Sequence, residues 1–138
     1  MVRYRQLEHT ADVKVEVFGR DRAELFANAA FCVADLMVES GLVEEAESMP
    51  VSLKSTDERE SLMDWLRELL FLFSNKGFVA TRAEVLAVDE KSVSAVLHGE
   101  PYSLEKHGLK VELKTPTYHE FSLEHDAAGW RAVVVFDA

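Results

Sequence analysis

The feature that most constrains this chain is the order of its patterns. Two capped amphipathic helices come early, and after Gly77 every periodic segment reads as a strand. Asp21 followed by Glu24, and Asp57 followed by Glu60, each place an N-cap acid three residues before a Glu that can return to the cap amide. Behind the first cap, Ala23, Leu25, Phe26, Ala29, Ala30, Val33, Leu36 and Met37 fall on one broad face, predicting a helix over about 22–38. Behind the second, Leu62, Met63, Trp65, Leu66, Leu69, Leu70 and Phe73 do the same, and Gly77 supplies the C-terminal stop.

The strand signals have period two. Val13, Val15 and Val17 alternate with Lys14, Glu16 and Phe18, ahead of the first helix. Val51 and Leu53 mark a short strand between the helices, after an acidic loop over 39–49. Residues 83–88, 92–98, 109–114, 117–123 and 130–136 follow, joined by short turns that require antiparallel pairing. The expected architecture is α+β: a single domain with two main helices packed on an antiparallel β-sheet of about seven strands.

Composition narrows the function classes. Hydrophobic residues make up 48% of the 138, which is enough for a real core. No apolar run, Leu69 to Phe73 among them, comes near the length of a membrane span. A single cysteine, Cys32, excludes an intramolecular disulfide framework, and its apolar helical neighbours mark it as a core residue. With no apolar leader at the N-terminus, the expected location is the cytoplasm. The formal net charge of −10 argues against gripping nucleic acid phosphates, which needs a basic face; it favours a cation or a basic protein partner.

P-loop, GxGxxG, CxxC, HExxH and GxSxG motifs are absent. Four places remain. His9-Thr10-Ala11-Asp12 enters the first clear strand and reads equally as a capped turn or as a functional segment. Asp64-Trp65-Leu66-Arg67-Glu68 puts Asp64 and Glu68 on one helix face, where Arg67 can neutralise them as a solvated surface. Lys114, Tyr118 and His119 stand close enough to form a polar cluster near a strand end. Asp137 closes an apolar run at the far end of the chain. If Asp12 and Asp137 meet, their repulsion of roughly 4 kcal/mol at about 4 Å calls for a proton, a lysine such as Lys114, or a cation. Oxygen donors favour Ca²⁺ or Mg²⁺.

In this order, the segments resemble the archease family. The resemblance rests on His9-Thr10-Ala11-Asp12, on Glu24 to Ala30, on Asp64 to Leu70, and on His98-Gly99-Glu100. Lys114 with Thr117-Tyr118-His119, and the final Asp137-Ala138, complete it. Thr115-Pro116, Arg67 and Ala138 depart from the usual pattern. The resemblance implies one archease-like domain over 1–138 and an accessory protein rather than an enzyme. Its implied partner is an RtcB-type RNA-splicing ligase, whose guanylylation and multiple turnover it promotes in tRNA splicing and RNA repair. It also implies a divalent cation, Ca²⁺ most readily, held by Asp12, Asp137 and the Ala138 oxygen. Lys114 is then expected near that tip, with His119, Asp64 and His9 as further functional candidates. Two other readings stay open on the residues: a stand-alone metal-dependent hydrolase using Asp12 and Asp137 with His119 as base, and a general chaperone-like module.

Overall fold

Both helices form where their caps predict. In the computed structural model, which describes residues 2–8 and 12–138, the Asp21 carboxylate accepts from the Glu24 amide at 2.8 Å, opening α1 (Arg22–Met37). The Asp57 carboxylate likewise accepts from the Glu60 amide at 2.9 Å, opening α2 (Glu58–Lys76). Gly77 ends α2 in the left-handed region (φ 63°), its amide reaching back to the Leu72 carbonyl. No helix among the described residues is long and apolar enough to cross a membrane.

The fold is α+β with seven strands, but these divide into two antiparallel sheets rather than forming one. Four strands are ordered β1-β2-β7-β6: β1 (Tyr4–Leu7), β2 (Val13–Gly19), β7 (Gly129–Asp137) and β6 (Thr115–Asp126). Three are ordered β3-β5-β4: β3 (Glu47–Lys54), β5 (Ser92–Pro101) and β4 (Phe78–Val88). The helices join the sheets: α1 packs on β2 and β4, and α2 on β6, β4 and β3. Val13, Val15, Val17, Ala132, Val134 and Phe136 point from the larger sheet into this shared core.

Trp65 is fully buried at the centre. Its ring packs 5.8 Å from Phe26, and its indole N–H donates to the Phe26 carbonyl at 3.0 Å. Cys32 is buried in the same core, and burial pushes its thiol well above the usual range, leaving no reactive thiolate.

Two strand expectations are corrected. Residues 109–114 are not a strand. After the short helix α3 (Leu104–His107), this segment bonds to two different elements: the Lys110 amide donates to Met37 O, a carbonyl left open at the end of α1, and the Lys114 amide to Asp137 O. Its alternation is real on the buried side, since Leu113 is buried and Val111 packs against the core, but no strand pairs with it. In its place β1 edges the larger sheet, so the expected count of seven is met by a different set. The acidic loop is also shorter than expected, because β3 begins at Glu47 and the stretch before it holds a 3-10 turn over Ser40–Leu42.

A polar clasp holds α3 against β5. Glu100 accepts from the Glu44 amide at 2.9 Å, pairs with Lys106 and meets His107 Nε2 at 2.8 Å. The buried His107 ring accepts the Ser103 amide on Nδ1 at 3.0 Å, so its hydrogen sits on Nε2 and points at Glu100. These bonds, the Glu44 amide first and then His107 and Lys106, lower the Glu100 carboxyl to about 2. A carboxyl lowered on folding adds stability above its unfolded value and loses it as pH falls toward the folded one. Stability is therefore expected to drop between about pH 4.5 and pH 2 more steeply in the parent than in Glu100→Gln. Urea midpoints measured across that range check this; parallel curves would contradict it.

Candidate functional site

Strand register brings the backbone beside the two acids to one end of the larger sheet. β2 pairs antiparallel with β7 as far as Val13 opposite Phe136, one residue short of Asp12 and Asp137, and Asp12 itself lies in a bend. Asp137 in turn pairs with Thr115 at the start of β6. Val13 and Phe136 face the helices, so Asp137 falls on the outer face of the sheet, and Asp12 would share that face if the ladder ran one residue further. Directly opposed residues have Cβ atoms about 5 Å apart, and like charges there are destabilising. Two acids so placed would cost stability unless something neutralises them.

Lys114 lies at the same end. Its amide donates to the Asp137 carbonyl at 2.9 Å, and its side chain is exposed with no carboxylate within ion-pair distance among the described residues. Of the cluster expected from Lys114, Tyr118 and His119, Tyr118 is engaged elsewhere. Tyr118 turns to α2, donating to Glu60 at 2.6 Å and accepting from Arg67 at 2.8 Å, while His119 Nε2 lies 3.2 Å from a Glu120 carboxylate oxygen.

The reason is a wide bulge in β6. Thr117 pairs with Val135 and Ser122 with Val133, so residues 118–121 stand against Val134 alone. Glu120 within it has φ 55°, a conformation few non-glycine residues adopt. Lys14 reaches across β7 to pair with Glu120, fixing the bulge beside the Asp12–Asp137 end.

Asp64 is half-buried and serves a different task. It accepts from Ser55 Oγ at 2.6 Å and from Arg67 at 3.0 Å, tying the β3–α2 connection to the helix. The network Asp64–Arg67–Tyr118–Glu60 then links α2 to the β6 bulge. Arg67 neutralises this face, as the helical spacing predicts. His9 lies outside the described residues.

The donor set at the tip suits a hard cation. The candidate donors are the carboxylates of Asp12 and Asp137, the Asp137 carbonyl, which also accepts from the Lys114 amide, and the Ala138 oxygen that the family resemblance implies. Among the described residues, no group of three or more His, Cys, Asp or Glu side chains is gathered to hold a metal ion. A cation here would rest on two carboxylates, a main-chain oxygen and water, and it would offset the repulsion between the acids.

Sequence reasoning reads an edge or bulge at Pro116, and β6 is an edge strand, but it missed the bulge's place at residues 118–121, whose signal is the Thr117–Glu120 polar run inside a strand pattern. It also missed Glu16, buried on the outer face between Arg5 and Arg131. Burial alone would raise the Glu16 carboxyl, but hydrogen bonds from the two arginines outweigh it and hold the group below its usual range.

Comparison with known proteins covers nearly the whole chain. Residues 4–138 match the model of the Archease protein family (MTH1598/TM1083). The chain is 38% identical to Protein archease of Methanosarcina acetivorans over 139 residues, covering 98% of this chain and 95% of the relative. It is 36% identical to Protein archease of Archaeoglobus fulgidus over 138 residues, covering 99% of each. Among solved structures, Methanobacterium thermoautotrophicum protein 1598 superposes with a TM-score of 0.81 at 28% identity, over 99% of both chains. An archease of Thermotoga maritima, described as a possible chaperone, shares the fold with a TM-score of 0.68 at 22% identity, over 96% of this chain and 94% of that one. The chain belongs to the archease family.

Proposed function

We propose that this protein is a non-catalytic accessory factor of an RtcB-type RNA-splicing ligase, acting on the ligase through its acidic tip. The tip comprises Asp12, Asp137 and the Ala138 oxygen, with Lys114 beside it and His119 in the neighbouring bulge. Asp64 supports the tip indirectly, by holding the Arg67 that fixes Tyr118 of that bulge. A Ca²⁺ or Mg²⁺ ion held there would supply a positive charge for nucleotide phosphates at the interface.

The observation that supports this reading is the β2–β7 register, which ends at Val13 opposite Phe136 and so brings Asp12 and Asp137 to the same end of the larger sheet, where two like charges would cost stability. A cost of that kind is retained where a site needs it. The net charge of −10 supports a basic protein surface as the partner and disfavours direct RNA binding. The description of the Thermotoga relative as a possible chaperone agrees with action on a protein partner.

Multiple-turnover ligation by the cognate ligase tests the reading. With substoichiometric protein, ligation is expected to continue past the first turnover. Asp12→Ala and Asp137→Ala should melt close to the parent, because each removes a repulsion, and should lose stimulation by more than roughly tenfold. Equal stimulation by both variants would sink the tip assignment. Turnover of phosphoesters by the protein alone, lost in Asp12→Ala, would move the function to a metal-dependent hydrolase.

A further inference from the structure

A second polar site lies at the opposite end of β2 from Asp12. Phe18, whose amide donates to Arg3 O, is six residues from Asp12, so this region is about 20 Å from the tip. A cleft of about 320 Å³ opens there between the first residues of the chain, the outer face of α1 and β4, lined by Arg3, Glu24, Asn28, Phe31, Thr81 and Arg82. Its volume sits at the small end of the range for metabolite pockets.

Its arginines are unusual for so acidic a chain. Acidic residues outnumber basic ones 25 to 15, yet Arg3 has no carboxylate within ion-pair distance among the described residues. Its guanidinium is instead held over the Phe31 ring, 4.2 Å from the centroid, which orients the group while leaving its N–H donors open. On the facing wall, Arg82 binds Glu45 through Nε and Nη2, leaving Nη1 unused. The β4 register slips between Ala80 and Arg82, so Thr81 is an extra, unpaired residue at the cleft.

The remaining wall groups accept hydrogen bonds. Asn28 donates its amide N–H to Phe18 O at 2.7 Å, which leaves Oδ1 as the open acceptor of a side chain lining the cleft. Glu24 is fixed and neutralised by Arg20, at 2.8 Å and 3.0 Å. The open guanidinium of Arg3 and the one free nitrogen of Arg82, whose charge Glu45 already offsets, face fixed acceptors and match a ligand with a phosphate end and hydroxyl groups.

We infer that this cleft binds a hydroxyl-bearing phosphate monoester, a sugar or nucleoside monophosphate, with its phosphate between Arg3 and Arg82 and a hydroxyl donating to Asn28. The assignment does not depend on the tip or on the ligase.

The test is an amide NMR titration of the full chain with ribose 5-phosphate, with ribose and inorganic phosphate as parallel arms. Saturable shifts are expected at the Asn28 side-chain amide and at 81–83. Arg3→Gln and Arg82→Gln should each weaken binding roughly tenfold, and the double variant should abolish it. Arg59→Gln, which removes another guanidinium held over a ring, should leave binding unchanged. Inorganic phosphate should bind more weakly than the ester, and ribose should not bind. Absence of saturable shifts up to roughly 10 mM ester would overturn the assignment. So would parental binding by the double variant, or equal binding of ester and inorganic phosphate.

Discussion

Trp65→Ala is expected to destabilise the protein by about 3–5 kcal/mol, the usual cost of deleting a fully buried large aromatic. The side chain is fully buried in the core that both helices share with the sheets, against Phe26. At this chain length the melting temperature should fall by roughly 10–20 °C. Trp65→Phe keeps a ring against Phe26 but loses part of the indole volume and the bond to the Phe26 carbonyl, so it should cost about 1–3 kcal/mol, less than the alanine variant. The Phe26 carbonyl lies within α1, where the helix ladder still offers it a donor. Thermal unfolding followed by circular dichroism checks the pair. An alanine variant melting within a few degrees of the parent would show that Trp65 is not the centre of the core.

Gly99→Ala should produce the second large effect. A Cβ at Gly99 would fall 1.9 Å from the Val79 carbonyl oxygen and 2.8 Å from its carbon, both backbone atoms that no rotamer change can move. β4 approaches β5 this closely just before its register slips, between Ala80 and Arg82. Relief requires β4 to separate locally from β5, at a cost of about 2–4 kcal/mol. Faster amide exchange along 78–83 and 97–101 would report that separation. Gly41→Ala is the matched control, because a Cβ there meets nothing within 4 Å, and it should be nearly neutral. Equal stability of the two variants would contradict the close approach.

What could be read from the sequence follows from how local each determinant is. Both helix starts were legible because a cap acts over three residues, and Gly77 marked the stop for the same reason. The hairpin turn at Asp89-Glu90-Lys91 was legible too, since the Asp89 carboxylate accepts from the Lys91 and Ser92 amides. β1 was not, because Tyr4–Leu7 is too short to show a period and two of its residues are Arg5 and Gln6. The segment 109–114 misled through a true alternation whose backbone bonds go to a helix end and to Asp137, which no local pattern encodes. The division into two sheets depends on pairings such as Val13 with Phe136, between opposite ends of the chain.

The candidate site divides in the same way. Asp12 and Asp137 could be named from residue type and position, but their place at one sheet end depends on long-range register. Tyr118 and His119 were named, yet the turn of Tyr118 to α2 depends on a bulge whose place the period-two pattern hides. Arg3 and Arg82 drew no notice in the sequence, since their proximity exists only once α1 and β4 pack together.

The most direct test of the accessory role is single-turnover guanylylation of the cognate ligase, with GTP and divalent metal, with and without this protein. GMP transfer to the ligase is expected to accelerate at substoichiometric protein, and Asp12→Ala, Lys114→Ala and Asp137→Ala should each remove the acceleration while keeping the parental fold. Transfer at the same rate with and without the protein, by a ligase otherwise active, would contradict the account.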